Sequence, residues 1–393
     1  MQQQVKDRSN IQDMVKGALI IAVVFFHSSL FFNKNLYHEF NLVLYFFPCV
    51  MGVFFFYTGY NYTIGKRKPL DNIKRRTKQL LIPLVIMFFV STILIGSVQL
   101  ITRNTDMMGI WHSIKYFLLS NGGVIMWKAD ISQNNYDLLL AVGLLWYLYV
   151  LYILSVIFYL IVDWSISRIR NLIIVVLPLL FISFLMGQFI PNGYWLPYSI
   201  QSYGLFLAIM LVAAYIKKLN LLDVPLDNKK SIIVSIILMV VFEGIIIGLG
   251  LLCYFAFGAT TVGALPGGSL NETIRGFDVF VAFVMAILGT YVIHTLMRFL
   301  VKLKVFSIFF GIIGKYVSLV YLTHPIFISY IHTIFGRKQI LGWFQPYLYT
   351  FITIGLLVII FVIIEILKKK KQCEKEEIIN ENWYLQLCIW RYL

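Results

Sequence analysis

Runs of apolar residues recur along the whole chain, and each is long enough to cross a lipid bilayer. A membrane-spanning helix needs roughly 20 consecutive, mostly apolar residues. Ten stretches meet this requirement and predict a polytopic membrane helix bundle of the all-α class. We place the spans at 14–33, 41–63, 80–100, 138–162, 172–190, 199–216, 231–257, 276–297, 307–334 and 345–367.

The composition excludes several other classes of protein. Hydrophobic residues make up 60% of the 393 residues and charged residues 13%, which is unlike a soluble domain. We expect one membrane domain over 1–367 and a basic, amphipathic cytoplasmic tail over 368–393. The net charge of +15 does not indicate nucleic-acid binding, because the basic residues lie in short clusters between the apolar runs. The four cysteines lack metal-ligand spacing, so we expect no metal site and no bound cofactor.

The positions of the basic clusters predict the orientation in the membrane. Short connections rich in Lys and Arg stay in the cytoplasm. If the connection 64–79 is cytoplasmic, alternation of the spans puts 25 of the 33 basic residues on that side and 7 in the outer connections. Both termini are then cytoplasmic. We expect a multi-pass protein of the plasma membrane.

Ionisable residues inside the predicted spans are the candidates for function. A charged side chain at the centre of a bilayer costs on the order of 3 kcal/mol by insertion scales. The residues of this kind are Lys16, His27, Glu243, Asp278, His294, Lys315 and His324. Asp278 and His294 lie near span ends, where water reaches them, whereas Glu243 lies near the middle of its span.

Lys16 and His27 lie eleven residues apart on the first span, on one face and separated by roughly 16 Å along the helix axis. A cation at the cytoplasmic end and an imidazole deep in the membrane suit a thioester donor that carries phosphates. In the alternative interpretation, Lys16 extends to the headgroups and His27 bonds a neighbouring helix. Arg75 and Arg76 either clamp phosphates or contact anionic lipid.

Five short motifs occur along the chain in a familiar order. They are Asp13-Met-Val-Lys16-Gly17 with His27 ten residues after Gly17, Gly52-Val-Phe-Phe-Phe-Tyr-Thr-Gly59-Tyr60, the basic stretch from Lys74 to Pro83, Leu145-Trp146-Tyr147-Leu148, and Tyr321-Leu322-Thr323-His324-Pro325. On these motifs, from about 13 to 327, the chain resembles the acyltransferase-3 family of integral membrane O-acyltransferases. Lys16 stands where most members carry Arg, and Lys holds a phosphate without the bidentate fork.

The resemblance implies transfer of an acyl group, most often acetyl, from cytoplasmic acyl-CoA as co-substrate to a hydroxyl of a cell-surface polysaccharide or its lipid-linked precursor. It implies that His27 is the catalytic base or a transient acyl carrier. Lys16, Arg75 and Arg76 would hold the donor phosphates. His324 and Trp146 would shape the acceptor side, and Glu243 is a further supporting candidate.

An alternative from another class is a transporter or flippase that moves a glycan or acyl compound without forming a bond. His324 and Glu243 would then be proton-relay groups within the membrane. The Lys16–His27 pair beside a cluster of arginines favours acyl-CoA chemistry, since a glycan exporter does not need it.

Overall fold

A computed structural model of the protein describes residues 2–30, 50–101, 111, 114, 146–190, 196–222, 228–257, 275–335 and 345–379. The described structure is helical. The helices are α1 Gln2–Leu30, α2 Val50–Tyr60, α3 Pro69–Arg76, α4 Ile82–Ile101, α5 Trp146–Ser165, α6 Ile169–Phe189, α7 Tyr203–Lys218, α8 Lys229–Phe257, α9 Asp278–Leu300, α10 Lys304–Lys315, α11 Val317–Phe335 and α12 Gln345–Ile379. A π-helical turn, Thr77–Leu81, joins α3 to α4, and 3₁₀ turns, Pro197–Ser202 and Arg275–Phe277, precede α7 and α9.

The predicted helix bundle is confirmed. Among the described residues, eight helices are long and apolar enough to cross a membrane, and the bent pair α10–α11 makes a ninth span if it counts as one. The short apolar helix α2 lies within the predicted span 41–63, whose first residues lie outside the described part. A described helix therefore overlaps each of the ten predicted spans.

Two helices differ from the predicted spans. The stretch with Arg75 and Arg76 was expected to be a connection, yet the chain is helical from Pro69, with Asp71 in the first turn. Proline in the first turn and an acidic residue near a helix amino end both favour a helix start there. The predicted span 307–334 is not one straight helix, because the chain bends by 79° between α10 and α11, at Tyr316.

The segments predicted to be cytoplasmic lie together on one face of the bundle. The Lys217 Nζ donates to the Tyr62 carbonyl at 2.7 Å, and the Lys218 Nζ donates to the Ile166 carbonyl at 2.8 Å. The Asn10 side chain donates to the Ser307 hydroxyl at 2.9 Å. Each contact joins two predicted inner segments, or residues directly beside them, as the alternation of spans requires. Residues 380–393 of the predicted tail lie outside the described residues, as do nearly all of the outer connection 101–137 and residues 258–274 of the outer connection 258–275.

The core of the bundle is formed around α1, α2 and α7, and α8 is peripheral. Side chains of α7 such as Phe206 and Met210 are fully buried, and Phe206 stacks on Phe55 of α2 with ring centres 4.1 Å apart. In contrast, only 11% of the apolar part of α8 is buried within the described structure, and the main neighbour of α8 is α9. The side chains that matter for chemistry are therefore expected on the central helices.

Candidate active site

A cavity of about 380 Å³ opens among the predicted inner segments. It is bounded by α1, the end of α2, α3 with its π-helical continuation, and α5. The lining residues are Lys16, Thr58, Asn61, Tyr62, Thr63, Lys66, Arg67, Asn72, Arg75, Arg76, Gln79 and Tyr159. The structure thus brings Lys16 into one cavity with Arg75 and Arg76, which lie far from it in the sequence.

The lining of this cavity is strongly cationic. Five of its side chains are Lys or Arg, and no Asp or Glu is among the described lining residues. Asp13 lies outside the lining and pairs with Lys16 at 3.1 Å across one turn of α1. Clustered Lys and Arg with amide and hydroxyl groups between them match the needs of a phosphate-bearing ligand. We call this site the cation cavity.

Tyrosine hydroxyls hold the walls of the cation cavity in place. The Arg76 Nε donates to the Tyr159 hydroxyl at 3.0 Å, which orients the guanidinium against α5. Tyr62 lies past the inner end of α2, and its hydroxyl donates to Asp163 at 2.8 Å. Burial together with this hydrogen bond raises the pKa of Tyr62. Tyr62 therefore keeps its proton at neutral pH and adds no negative charge to the cavity.

His27 meets a second histidine deep in the bundle. The His27 Nδ1 and the His324 Nε2 lie 2.7 Å apart, although the residues are 297 positions apart in the sequence. His27 is 5% exposed and His324 is fully buried. The His324 Nδ1 lies 3.0 Å from the carbonyl oxygen of Val320, one turn earlier in α11. We call His27 and His324 the histidine pair.

Aromatic rings connect the histidine pair to the start of α5. Tyr321 packs its ring against His324 with centres 5.6 Å apart, and Tyr147 lies 5.2 Å from Tyr321. Trp146, the first residue of α5, is buried and lies beside Tyr147 at 6.3 Å. Two tyrosines therefore connect Trp146 to His324 through successive ring contacts.

Two other ionisable residues take positions that the sequence did not predict. Glu243 lies half-buried on the peripheral helix α8, and no hydrogen bond among the described residues involves it. His294, expected at an interface with water, is instead fully buried, with the Tyr57 hydroxyl 2.8 Å from its Nδ1. Neither residue belongs to the cation cavity.

Some residues of the site were missed from the sequence. Lys66 and Arg67 were counted for orientation and not singled out, and Tyr159 was interpreted as part of an apolar span. Tyr159 had a signal in the sequence, because it follows Tyr152 by seven residues on α5. The Tyr152 hydroxyl is 3.0 Å from that of Thr77. Tyr residues repeated at i and i+7 on an apolar helix mark one face.

Comparison with known proteins identifies the protein family. The profile of the acyltransferase-3 family, described as an acyltransferase domain, matches residues 12–365. No curated protein and no solved structure matches the chain. The matched range contains the cation cavity and the histidine pair. Since it also covers nearly the whole chain, this multi-pass membrane protein belongs to the acyltransferase-3 family and is a membrane acyltransferase.

Proposed function

We propose that the protein transfers an acetyl group from cytoplasmic acetyl-CoA to a hydroxyl of a cell-surface polysaccharide or of its lipid-linked precursor. Its place would be the plasma membrane, with the cation cavity open to the cytoplasm. The observation that carries this proposal is a cavity with five cationic and no acidic residues among its described lining. One of the cations, Lys16, lies on the same helix as the buried His27.

The arrangement along α1 fits a long donor with charge at one end. Lys16 lines the cation cavity, and His27 lies eleven residues further along the helix, which is a rise of roughly 16 Å. A coenzyme A thioester carries its phosphates at one end and its acyl group at the other, joined by an uncharged arm. The cations would bind the phosphates, and the arm would bring the thioester carbonyl to the histidine pair.

The chemistry at His27 requires a neutral imidazole beside the thioester. In one route His27 takes the proton of the acceptor hydroxyl while that oxygen attacks the thioester carbonyl. In the other route the imidazole attacks first and carries the acyl group to the hydroxyl. Either route releases the donor as a thiol, and both need the water-poor surroundings that burial of His27 supplies.

The test is binding of acetyl-CoA to the detergent-purified protein, measured by titration calorimetry. We expect saturable binding that weakens with added salt, because charge attraction between exposed groups is screened. Changing both Arg75→Ala and Arg76→Ala should raise the dissociation constant by roughly 10²- to 10⁴-fold, since each of the two lost charge-assisted hydrogen bonds contributes about 1.5–3 kcal/mol.

Arg168→Ala with Arg170→Ala is the matched control. These two arginines are exposed, lie in a predicted inner segment, and are not among the residues that line the cavity. An equal loss of affinity in both double variants would mean that general surface charge attracts the donor and that the cavity does not bind it. Absence of binding to a folded wild-type sample would refute the proposed donor.

A further inference from the structure

The two imidazole rings of the histidine pair meet edge to edge. Their planes differ by 9°, and their centres are 5.0 Å apart, while the nearest nitrogens are 2.7 Å apart. The separation of the centres is close to the nitrogen–nitrogen distance plus one ring radius on either side. The rings are therefore nearly coplanar, with the hydrogen bond directed along the line between them. This is the geometry of a well-formed N–H···N bond and not of a face-to-face stack.

The backbone of α11 sets the direction of this hydrogen bond. A carbonyl oxygen can accept and cannot donate, so the contact of 3.0 Å between the His324 Nδ1 and the Val320 carbonyl puts the proton of a neutral His324 on Nδ1. The His324 Nε2 then has a lone pair and accepts. The proton of the short contact must therefore belong to the His27 Nδ1, which leaves the lone pair of His27 on Nε2.

We propose that His324 is a positioning residue that holds His27 in the tautomer protonated on Nδ1, so that the His27 Nε2 is the reacting atom. A neutral imidazole in water carries its proton mostly on Nε2, which would block that atom. Among the described residues, no hydrogen bond involves the His27 Nε2. The catalytic meaning of this tautomer rests on the proposed function.

The surroundings of His324 keep its ring in one orientation. Each of its nitrogens has a partner, and the ring of Tyr321 lies against it in an edge-on contact. Pro325 follows His324 inside α11 and has no N–H, so the carbonyl oxygen of Tyr321, four residues earlier, receives no backbone hydrogen bond from it. These features give the Tyr-Leu-Thr-His-Pro sequence a physical role. They hold the His324 ring so that its Nε2 accepts the hydrogen bond from His27.

The proton balance of acetyl transfer follows from this assignment for the base route. The acceptor O–H gives its proton to the His27 Nε2 while the oxygen bonds to the thioester carbonyl carbon. The C–S bond then breaks, and the proton on Nε2 passes to the leaving sulfur, which departs as a free thiol. While His27 is doubly protonated, its Nδ1–H bond to the neutral His324 stabilises the added charge. The histidine pair ends the cycle with the protons it had at the start.

The test compares two substitutions of similar shape, His324→Gln and His324→Met. The Gln side chain offers a carbonyl oxygen that can accept from the His27 Nδ1–H, and Met offers no comparable acceptor. The ¹⁵N NMR spectrum of histidine-labelled protein in bilayers reports which nitrogen carries the proton, and a His27→Gln sample assigns the signals. Thermal unfolding of each variant checks that it is folded.

We expect His27 in the wild type and in His324→Gln to be protonated on Nδ1, and His27 in His324→Met to be protonated on Nε2. The rate of thiol release from acetyl-CoA in native membranes should fall by about 10²- to 10⁴-fold in kcat for His324→Met, with KM for acetyl-CoA unchanged. His324→Gln should stay within about tenfold of wild type, because it keeps the acceptor.

A wild-type His27 protonated on Nε2 overturns the proposal, as does a His324→Met protein that keeps the Nδ1 tautomer or full activity. The NMR measurement needs no acyl donor, so it separates this proposal from the proposed function. Thiol release by a wild type with the wrong tautomer would refute the role of His324 alone. The predicted tautomer in a protein that does not use acetyl-CoA would refute the proposed donor and leave the tautomer assignment in place.

Discussion

Where α1 and α10 cross, Gly17 and Gly314 leave no room for a Cβ atom. This gives a specific prediction for stability. A Cβ added to Gly314 would lie 1.6 Å from the carbonyl oxygen of Asp13, and one added to Gly17 would lie 2.1 Å from the carbonyl oxygen of Phe310. Both obstructing atoms belong to the backbone, so no side-chain rotation can relieve the contact. In Gly314→Ala the two helices must move apart.

The size of the movement follows from these distances. Ordinary contact of a Cβ begins near 3.4 Å, so the Cβ added at position 314 and the Asp13 carbonyl oxygen must separate by about 1.8 Å. Overpacking of a tight core costs about 1–3 kcal/mol, and we expect about 3 kcal/mol because two backbones meet here. A displacement of about 1 Å at a site can lower a rate 10²-fold, so acetyl transfer should fall at least that much.

Fluorescence-detected thermal unfolding in detergent measures the loss of stability, and thiol release from acetyl-CoA measures the loss of rate. Gly244→Ala and Gly355→Ala are matched controls, since both glycines lie in membrane helices and an added Cβ meets nothing within 4 Å. Ala is the better helix former, so the controls should be neutral or slightly stabilised. A Gly314→Ala protein as stable as these controls would show that α1 and α10 are not packed backbone to backbone.

Two smaller changes test one residue in the wall of the cation cavity and one residue away from it. Tyr159→Phe removes the hydroxyl that accepts from the Arg76 Nε, and the loss of one hydrogen bond should raise the dissociation constant of acetyl-CoA about two- to tenfold by calorimetry. Tyr149→Phe, on the same helix outside the cavity lining, should leave that affinity unchanged. Glu243→Gln should change neither kcat nor KM by more than about twofold, because α8 is peripheral. A tenfold loss of thiol release in Glu243→Gln would restore the supporting role that the sequence suggested.

Local sequence patterns predicted the parts of the fold that depend on local physics. The apolar runs predicted the helices, and a described helix overlaps each predicted span, because the bilayer selects for length and hydropathy. The basic clusters predicted which segments share the inner side, and the described contacts join such segments. The spacing of Lys16 and His27 on one helix required nothing beyond helical geometry. The family could also be predicted from short local motifs, and the family profile confirms it.

Contacts between distant segments could not be predicted in this way. Nothing in the vicinity of His27 specifies a partner 297 residues later, and the motif around His324 suggested a general role beside the acceptor and no bond to His27. The bend at Tyr316 was also hidden, because α10 and α11 are both apolar and hydropathy does not record direction. Glu243 lies half-buried on the peripheral helix α8, so its supporting role stays a prediction.

The bend between α10 and α11 would let one helix, α1, serve both ends of the long donor that we propose. Gly314 of α10 meets α1 beside Gly17, the residue next to Lys16. His324 of α11 meets His27, and each of these two residues is ten positions later in the sequence than its glycine. A straight helix from 304 to 335 would be about 48 Å long, well beyond the roughly 30 Å of the hydrocarbon core. The bend removes this mismatch, so that α10 supports the cation end of α1 while α11 follows α1 towards the histidine pair.

The bend itself is held from the side. Glu365 of α12 accepts hydrogen bonds from the Lys315 Nζ at 2.7 Å and from the Tyr316 hydroxyl, and Tyr316 stacks on Phe361 with ring centres 4.7 Å apart. With the glycine crossing below and these contacts beside it, the start of α11 has little freedom to shift against α1. Because the His27 tautomer depends on a hydrogen bond of 2.7 Å, this rigid frame, and not the histidines alone, would keep the His27 Nε2 available for the thioester.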